Sequence, residues 1–88
     1  MKYEISIDPL AFEHIHALKK AGDKIILKKI SALIDELSEH PFTGTGKPEA
    51  LKHNLSGLWS RRINREHRLI YRVEERTVYI QSVKGYYS

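Results

Sequence analysis

Residues 46–73 read GKPEALKHNLSGLWSRRINREHRLIYRV, and the rest of the chain is predicted to fold around this stretch. With seven basic and two acidic residues it carries a charge of +5, whereas the other residues, eight basic and nine acidic, carry −1. Charge gathered in this way predicts a surface that binds a polyanion. Small basic proteins are common, so the clustering is more informative than the net charge of +4.

Alternation along this stretch predicts where its basic side chains point. If Trp59 and Ile63 face the core, Arg62 lies on the opposite face of the sheet, and Arg68 and Arg72 emerge beside it. The sequence therefore predicts a cationic open face. A solvated sheet face with cross-strand charge pairs is the alternative interpretation, and alternation alone does not separate the two.

Arg61 is the exception to this pattern, because alternation directs it towards the helices. We expect Arg61 to reach an edge there and to pair with an acid, since an unpaired buried charge is costly.

Two helices are predicted in the first half of the chain. Asp8 and Pro9 are typical of an N-cap and first helical position, and Gly22 is typical of a helix end. Asp23 caps a second helix, which stops before Pro41 because the residue preceding a proline is pushed out of the helical region. The side chains expected to be buried on the two helices are Phe12, Ile15, Leu18, Ile26, Ile30, Leu33 and Leu37.

The remaining segments predict a sheet. Strand patterns occur at 2–7, 58–63, 67–73 and 77–83, and segment 49–57 is either a short strand or a turn of helix. The order strand–helix–helix–strand–strand–strand predicts an α+β fold in which a helical hairpin covers one face of an antiparallel sheet. A chain of 88 residues is expected to form one domain, residues 1–88.

Composition narrows the class of protein. At 41% hydrophobic and 30% charged residues, the chain is typical of soluble globular proteins. It has no signal peptide pattern and no apolar run long enough to cross a bilayer, and its lack of Cys suits a reducing cytoplasm, where we expect it to act. His14 and His16 point in different directions on a helix, and no other metal-ligand spacing occurs, so we expect neither a metal nor a cofactor.

Four motifs within the chain carry a resemblance to a known family. KPE, LKHNLSG, WSRRI and EHRL-x-Y occur in register, and the match is dense over 41–73 and weaker in the helices. This pattern resembles the signature of YoeB-type (Txe) toxins within the RelE superfamily of bacterial toxin–antitoxin modules. The resemblance implies a RelE-like fold and a ribosome-dependent endoribonuclease that cuts mRNA in the ribosomal A site. It also implies a YefM-like antitoxin as partner, and leaves homodimerisation open.

The resemblance also implies roles for individual residues. Metal-free RNA cleavage needs a base for the 2′-OH, cations for the phosphate oxygens and an acid for the leaving 5′-oxygen. Glu49 matches the general base and Arg68 the charge-stabilising arginine. The residues matched to, or placed with, the RNA and phosphate contacts are Lys47, Lys52, Arg62 and Lys84. The residues expected to support the site are Glu66, which would orient an arginine, and His53 and His67.

The end of the chain departs from the family pattern. Members usually finish with a His-Tyr pair whose histidine is the general acid, whereas here the pair is Tyr86-Tyr87. A phenol keeps its proton at neutral pH but is a weaker acid than imidazolium. We expect Tyr86, with Tyr87, to replace the histidine in a slower or differently tuned nuclease.

Two other functions remain open from the sequence. The missing histidine is compatible with a member that binds the ribosome or titrates antitoxin without cutting RNA. An inhibitor of DNA gyrase with the same fold is a third reading, which the set Glu49, Lys52, Arg62 and Arg68 disfavours.

Overall fold

The computed structural model describes residues 2–84, and these residues contain two α-helices and five strands. In chain order the elements are β1 (Glu4–Ile7), α1 (Pro9–Ala21), α2 (Lys24–Leu37), β2 (Glu49–Ala50), a 3₁₀ turn (His53–Leu55), β3 (Trp59–Arg62), β4 (Arg68–Glu74) and β5 (Thr77–Ser82). Segment 49–57 thus contains both a short strand and a helical turn. Neither α-helix in the described part of the chain is long and apolar enough to span a membrane.

The helix ends are where the sequence predicts them. Gly22 ends α1 with φ 74°, a left-handed conformation that glycine adopts without steric cost. The Asp23 side chain accepts the N–H of Ile26 at 3.2 Å and so caps α2. The prediction that Phe12 is buried is wrong, since it is 63% exposed. Its neighbour Ala11 is buried, and Phe12 is turned by about 100° from Ala11 around the helix.

The five strands form one sheet in the order β1-β5-β4-β3-β2. Strands β2 to β5 pair antiparallel, which confirms the predicted α+β fold with its run of antiparallel strands. Strand β1, however, runs parallel to β5, with Ile5 opposite Val78, so the sheet is mixed and not wholly antiparallel. A parallel pair requires a long connection, and here that connection contains both helices and three strands.

The core lies between the helices and one face of the sheet. Leu33 and Leu37 of α2 and Leu69, Tyr71 and Ile80 of the sheet are at most 3% exposed. Burial of this apolar surface is the main stabilising contribution to such a fold. The core therefore lies on one face of the central strands β3–β5, and the other face carries Ser60, Arg62 and Arg68 together with the fully buried Ile70.

Arg61 lies on the core side of β3 and is fully buried. Its Nη1 donates to Glu36 Oε1 at 2.9 Å and to the Thr45 carbonyl at 3.3 Å, and its Nη2 donates to the carbonyls of His40 and Thr43. The prediction that Arg61 turns inwards and pairs with an acid is confirmed. It is enclosed, however, and does not reach an edge.

Candidate active site

The face of the sheet opposite the helices brings the predicted site residues together. In the strand register Glu49 of β2 is opposite Ser60 of β3, which is opposite Ile70 of β4. Arg62 is opposite Arg68 in the same β3–β4 ladder. Because side chains alternate along a strand, Glu49, Ser60, Arg62 and Arg68 all project from this face.

Arg68 is the anchored member of this group. Its Nε and Nη2 donate to Ser60 Oγ at 3.1 and 3.0 Å, and its side chain is 23% exposed. The Nη2 atom also lies 4.0 Å from Glu49 Oε2, and the Glu49 side chain is 69% exposed. An ion pair this long and this exposed contributes little to stability, so a ligand displaces it easily.

Ser60 is a residue to which the sequence assigned no role. By alternation Ser60 lies on the same face of β3 as Arg62, but a lone serine in a strand carries no motif. Only the pairing of β3 with β4, which puts the Ser60 hydroxyl beside the Arg68 guanidinium, shows that it holds Arg68 in place.

The loop before Glu49 docks on β3. The N–H of Arg62 donates to the Gly46 carbonyl at 2.7 Å, and Gly46 has φ 83°. A Cβ at Gly46 would lie 2.8 Å from the Arg62 carbonyl oxygen, so only glycine fits without a shift of backbone. Lys47 and Lys52 are exposed on either side of Glu49, which places two cations near the carboxylate along the chain.

Alternation puts Arg72 on the same face of β4 as Arg68, as predicted, but acidic side chains neutralise its charge there. Its Nε donates to Glu74 Oε2 at 2.5 Å, its Nη1 lies 3.5 Å from Asp8 Oδ2, and its guanidinium stacks over the Tyr79 ring at 4.2 Å. The bond to Glu74, together with the charge of Asp8, raises the pKa of Arg72 above its usual value. Arg72 therefore ties β4 to its neighbours.

Three supporting residues predicted from the sequence lie around the site. Glu66 is exposed in the turn between β3 and β4, where the Asn64 side chain accepts the N–H groups of Glu66 and His67 at 2.9 and 2.8 Å. His53 is exposed in the 3₁₀ turn with φ 60°. Their roles in orienting arginine or contacting RNA stay predictions.

Lys84 and the C-terminal tyrosines follow β5. The N–H of Val83 donates to His14 Nδ1 at 3.3 Å, and burial together with the Lys84 charge lowers the pKa of His14. Lys84 is exposed. Tyr86 and Tyr87 lie outside the described residues. Within residues 2–84, no three His, Asp or Glu side chains are grouped so as to hold a metal ion.

Solved structures that superimpose on this one include toxins of bacterial toxin–antitoxin pairs. The YoeB dimer from Staphylococcus aureus superimposes with a TM-score of 0.86 and 41% identity, covering 99% of this chain and 100% of that one. The toxin in a heterotetrameric YoeB–YefM complex from Staphylococcus aureus gives a TM-score of 0.84 at 41% identity with the same coverage. The fold and the cationic face thus define a toxin of this class.

Sequence comparison specifies the family. The toxin YoeB of Escherichia coli K12 is 54% identical over 65 residues, which are 74% of this chain and 77% of that protein. The profile of the family described as YoeB-like toxin of bacterial type II toxin-antitoxin system matches residues 8–87. The chain belongs to this YoeB-like toxin family, and the resemblance found in its motifs is confirmed.

Proposed function

We propose that this toxin is a ribosome-dependent endoribonuclease that cleaves mRNA in the ribosomal A site and so inhibits translation. The observation that carries the proposal is the pair of Glu49 and Arg68, an accessible carboxylate 4.0 Å from a guanidinium that Ser60 anchors. At this separation the carboxylate can contact a ribose 2′-OH while the guanidinium contacts the adjoining phosphate.

Glu49 and Arg68 have separate roles in the attack of the 2′-oxygen on phosphorus. Glu49 accepts the proton of the 2′-OH, the 2′-oxygen bonds to phosphorus, and the bond from phosphorus to the 5′-oxygen breaks. Negative charge grows on the non-bridging oxygens, where a guanidinium can donate two hydrogen bonds. Arg68 Nη1 donates to none of residues 2–84, whereas its Nε and Nη2 are held by Ser60. With respect to residues 2–84, Nη1 is therefore the nitrogen available for phosphate.

The leaving 5′-oxygen needs a proton, which we assign to Tyr86 with help from Tyr87. The phenol holds its proton at neutral pH, because its ordinary pKa is about 10. The products are a 2′,3′-cyclic phosphate and a 5′-hydroxyl. Lys47, Lys52, Arg62 and Lys84 supply further positive charge, so this route requires no metal ion.

Family membership also suggests the partners. A YefM-like antitoxin is proposed because the Staphylococcus aureus relative is found in a YoeB–YefM complex, and a second copy of the chain because that relative also forms a dimer. An acidic antitoxin segment would neutralise the +5 stretch at 46–73. The ribosome as target places the action in the cytoplasm.

Translating ribosomes carrying a defined mRNA provide the test. The wild-type protein should produce discrete cuts at the A-site codon, mapped by primer extension. Glu49→Gln should slow cleavage by about 10²–10⁴-fold through loss of the base. Arg68→Met should slow it by about 10²–10³-fold through loss of charge stabilisation.

The matched control is Glu75→Gln, which removes an exposed carboxylate from the turn between β4 and β5 and should cut at the wild-type rate. Cuts that survive both Glu49→Gln and Arg68→Met would remove the site assignment. Arrested translation with intact mRNA would point instead to a ribosome-binding member without nuclease activity.

A further inference from the structure

A groove of about 450 Å³ opens beside the candidate active site. Four elements build it: α2, the loop before β2, the end of β3 and the turn that follows β3. The lining residues are Lys29, Thr45, Gly46, Lys47, Arg62, Ile63, Asn64 and Arg65. Four of these lining residues are cations. No acid of the described residues lines the groove.

The four cations of the groove lack the partners that the other arginines have. Arg61 is bonded to Glu36, and Arg72 to Glu74 and Asp8. In contrast, the groove cations form no ion pair with any acid of residues 2–84. These cations are Lys29, Lys47, Arg62 and Arg65. Like charges brought together repel one another, so binding of an anion that neutralises them lowers the free energy.

The walls of the groove are fixed by the backbone. The bond from the Arg62 N–H to the Gly46 carbonyl holds the loop against β3 at 2.7 Å. Lys47 has φ 51°, a left-handed conformation that is uncommon for a side chain with a Cβ. The Asn64 side chain closes the turn that displays Arg65 by accepting two N–H groups. The cations are therefore presented from a preformed surface, which lowers the entropic cost of binding.

The groove continues from the candidate active site. Arg62 lies in the groove lining and is also the cross-strand partner of Arg68, which pairs with Glu49. A single strand whose phosphate lies at Arg68 thus meets the groove cations as it passes Arg62. Ile63, the aliphatic residue of the lining, is fully buried, so the side chains that the groove presents are polar or charged at their tips.

We propose that the groove is a second phosphate subsite, in which Lys29 and Arg65 bind backbone phosphates that flank the scissile bond of single-stranded RNA. This inference rests on the proposed function. Lys29 and Arg65 do not touch the reacting atoms, so they are positioning residues. They hold the strand in register with Glu49 and Arg68 through sequence-independent contacts.

Salt dependence of RNA binding tests the subsite directly. The Glu49→Gln protein, in which cleavage of the ligand should be strongly slowed, is titrated with a fluorescent single-stranded RNA at several salt concentrations. Each phosphate contact on a single strand contributes about 0.7 to the slope of log K against log salt. Lys29→Gln and Arg65→Gln should each make this negative slope shallower by about 0.7, and the double variant by about twice that.

Lys28→Gln is the matched control, because Lys28 is an exposed lysine of α2 outside the groove lining, and its slope should equal that of the parent. Thermal unfolding midpoints verify that the variants fold. Slopes for Lys29→Gln and Arg65→Gln equal to the control would overturn the inference, as would the lack of measurable RNA binding at low salt. Loss of affinity for a polyglutamate peptide with unchanged RNA slopes would also overturn it and assign the groove to an acidic protein segment.

The ribosome assay separates this result from failure of the proposed function. In the cutting-competent chain, Lys29→Gln and Arg65→Gln should raise KM and leave kcat close to the wild-type value. If the wild-type protein does not cut but the RNA slopes change as expected, the proposed function fails and the subsite stands. If the wild-type protein cuts and the slopes do not change, the subsite fails alone.

Discussion

Arg61 of β3 donates to Glu36 of α2 at 2.9 Å, and this pair joins the sheet to the second helix beneath the candidate active site. The same guanidinium binds the carbonyls of His40, Thr43 and Thr45, so one side chain organises the loop that leads to Glu49. A charged group in the interior thereby shapes a site on the opposite face of its own strand.

Replacing this side chain should be costly. Arg61→Met is expected to lower the free energy of unfolding by about 3–5 kcal/mol, because Glu36 and three carbonyls lose their donor. Arg62→Met is the control, since Arg62 is exposed one residue away, and it should change stability by less than about 0.5 kcal/mol. Urea denaturation measures both, and equal losses would contradict the role given to Arg61.

Glu36 should make stability sensitive to acid. Burial opposes ionisation of this carboxyl, but the N–H of Thr45 at 2.5 Å and the guanidinium of Arg61 outweigh it and hold the pKa of Glu36 below its ordinary 4.5. As pH falls, the unfolded chain therefore takes up this proton first. The stabilisation is complete above pH 4.5 and is lost as pH falls through the folded pKa.

Glu36→Gln tests this dependence. The stability gap between the wild-type protein and Glu36→Gln should be constant at neutral pH and should narrow below pH 4.5. Urea titrations at several pH values give the result, and a gap independent of pH would contradict the assignment.

Gly46 should be intolerant of a side chain. Gly46→Ala introduces a Cβ at 2.8 Å from the Arg62 carbonyl oxygen, so the loop must move from β3 and carry Lys47 and Glu49 with it. Gly57→Ala is matched, because Gly57 also has a positive φ, at 96°, but has open space around it. Gly57→Ala should cost only the conformational strain of about 1–2 kcal/mol.

Gly46→Ala should destabilise the protein further than Gly57→Ala and also slow RNA cleavage. Urea denaturation and the ribosome assay together provide the comparison. Cleavage at the wild-type rate by Gly46→Ala would show that the loop does not need its contact with β3.

Tyr86 should be the proton donor to the leaving oxygen. Tyr86→Phe removes the hydroxyl and should slow cleavage by about 10²–10⁴-fold. Tyr86→His should retain activity and give a rate that falls as pH rises past the imidazole pKa of about 6.5. Tyr79→Phe, which removes a hydroxyl from β5, is the control. If neither change at Tyr86 alters the rate, another group donates the proton.

Local signals in the sequence predicted much of the fold. Gly22 and Asp23 mark helix ends because their backbone conformation and side-chain hydrogen bonds are satisfied within a few residues. Alternation along β3 placed Arg61 inside and Arg62 outside for the same reason, since the period of a strand needs no knowledge of the partner strand.

Contacts between distant segments were not predictable in this way. Nothing in β1 indicates that it pairs in parallel with β5, and no local pattern brings Asp8 to Arg72. The place of Lys29 was not predictable either. Lys29 is a polar residue on the outer side of an amphipathic helix, and it comes to line a groove with Arg62 only when α2 packs against the sheet. The family resemblance identified Glu49 and Arg68 as site residues, and the strand register identified Ser60.

The pairing of β1 with β5 affects how the protein folds during its synthesis. Glu4 faces Thr77 across that ladder, so β1 can pair only after Thr77 and the rest of β5 have been synthesised and have left the exit tunnel. Sheet assembly that depends on such widely separated segments is slow compared with local folding. A nascent chain therefore cannot complete its sheet until both segments have been synthesised.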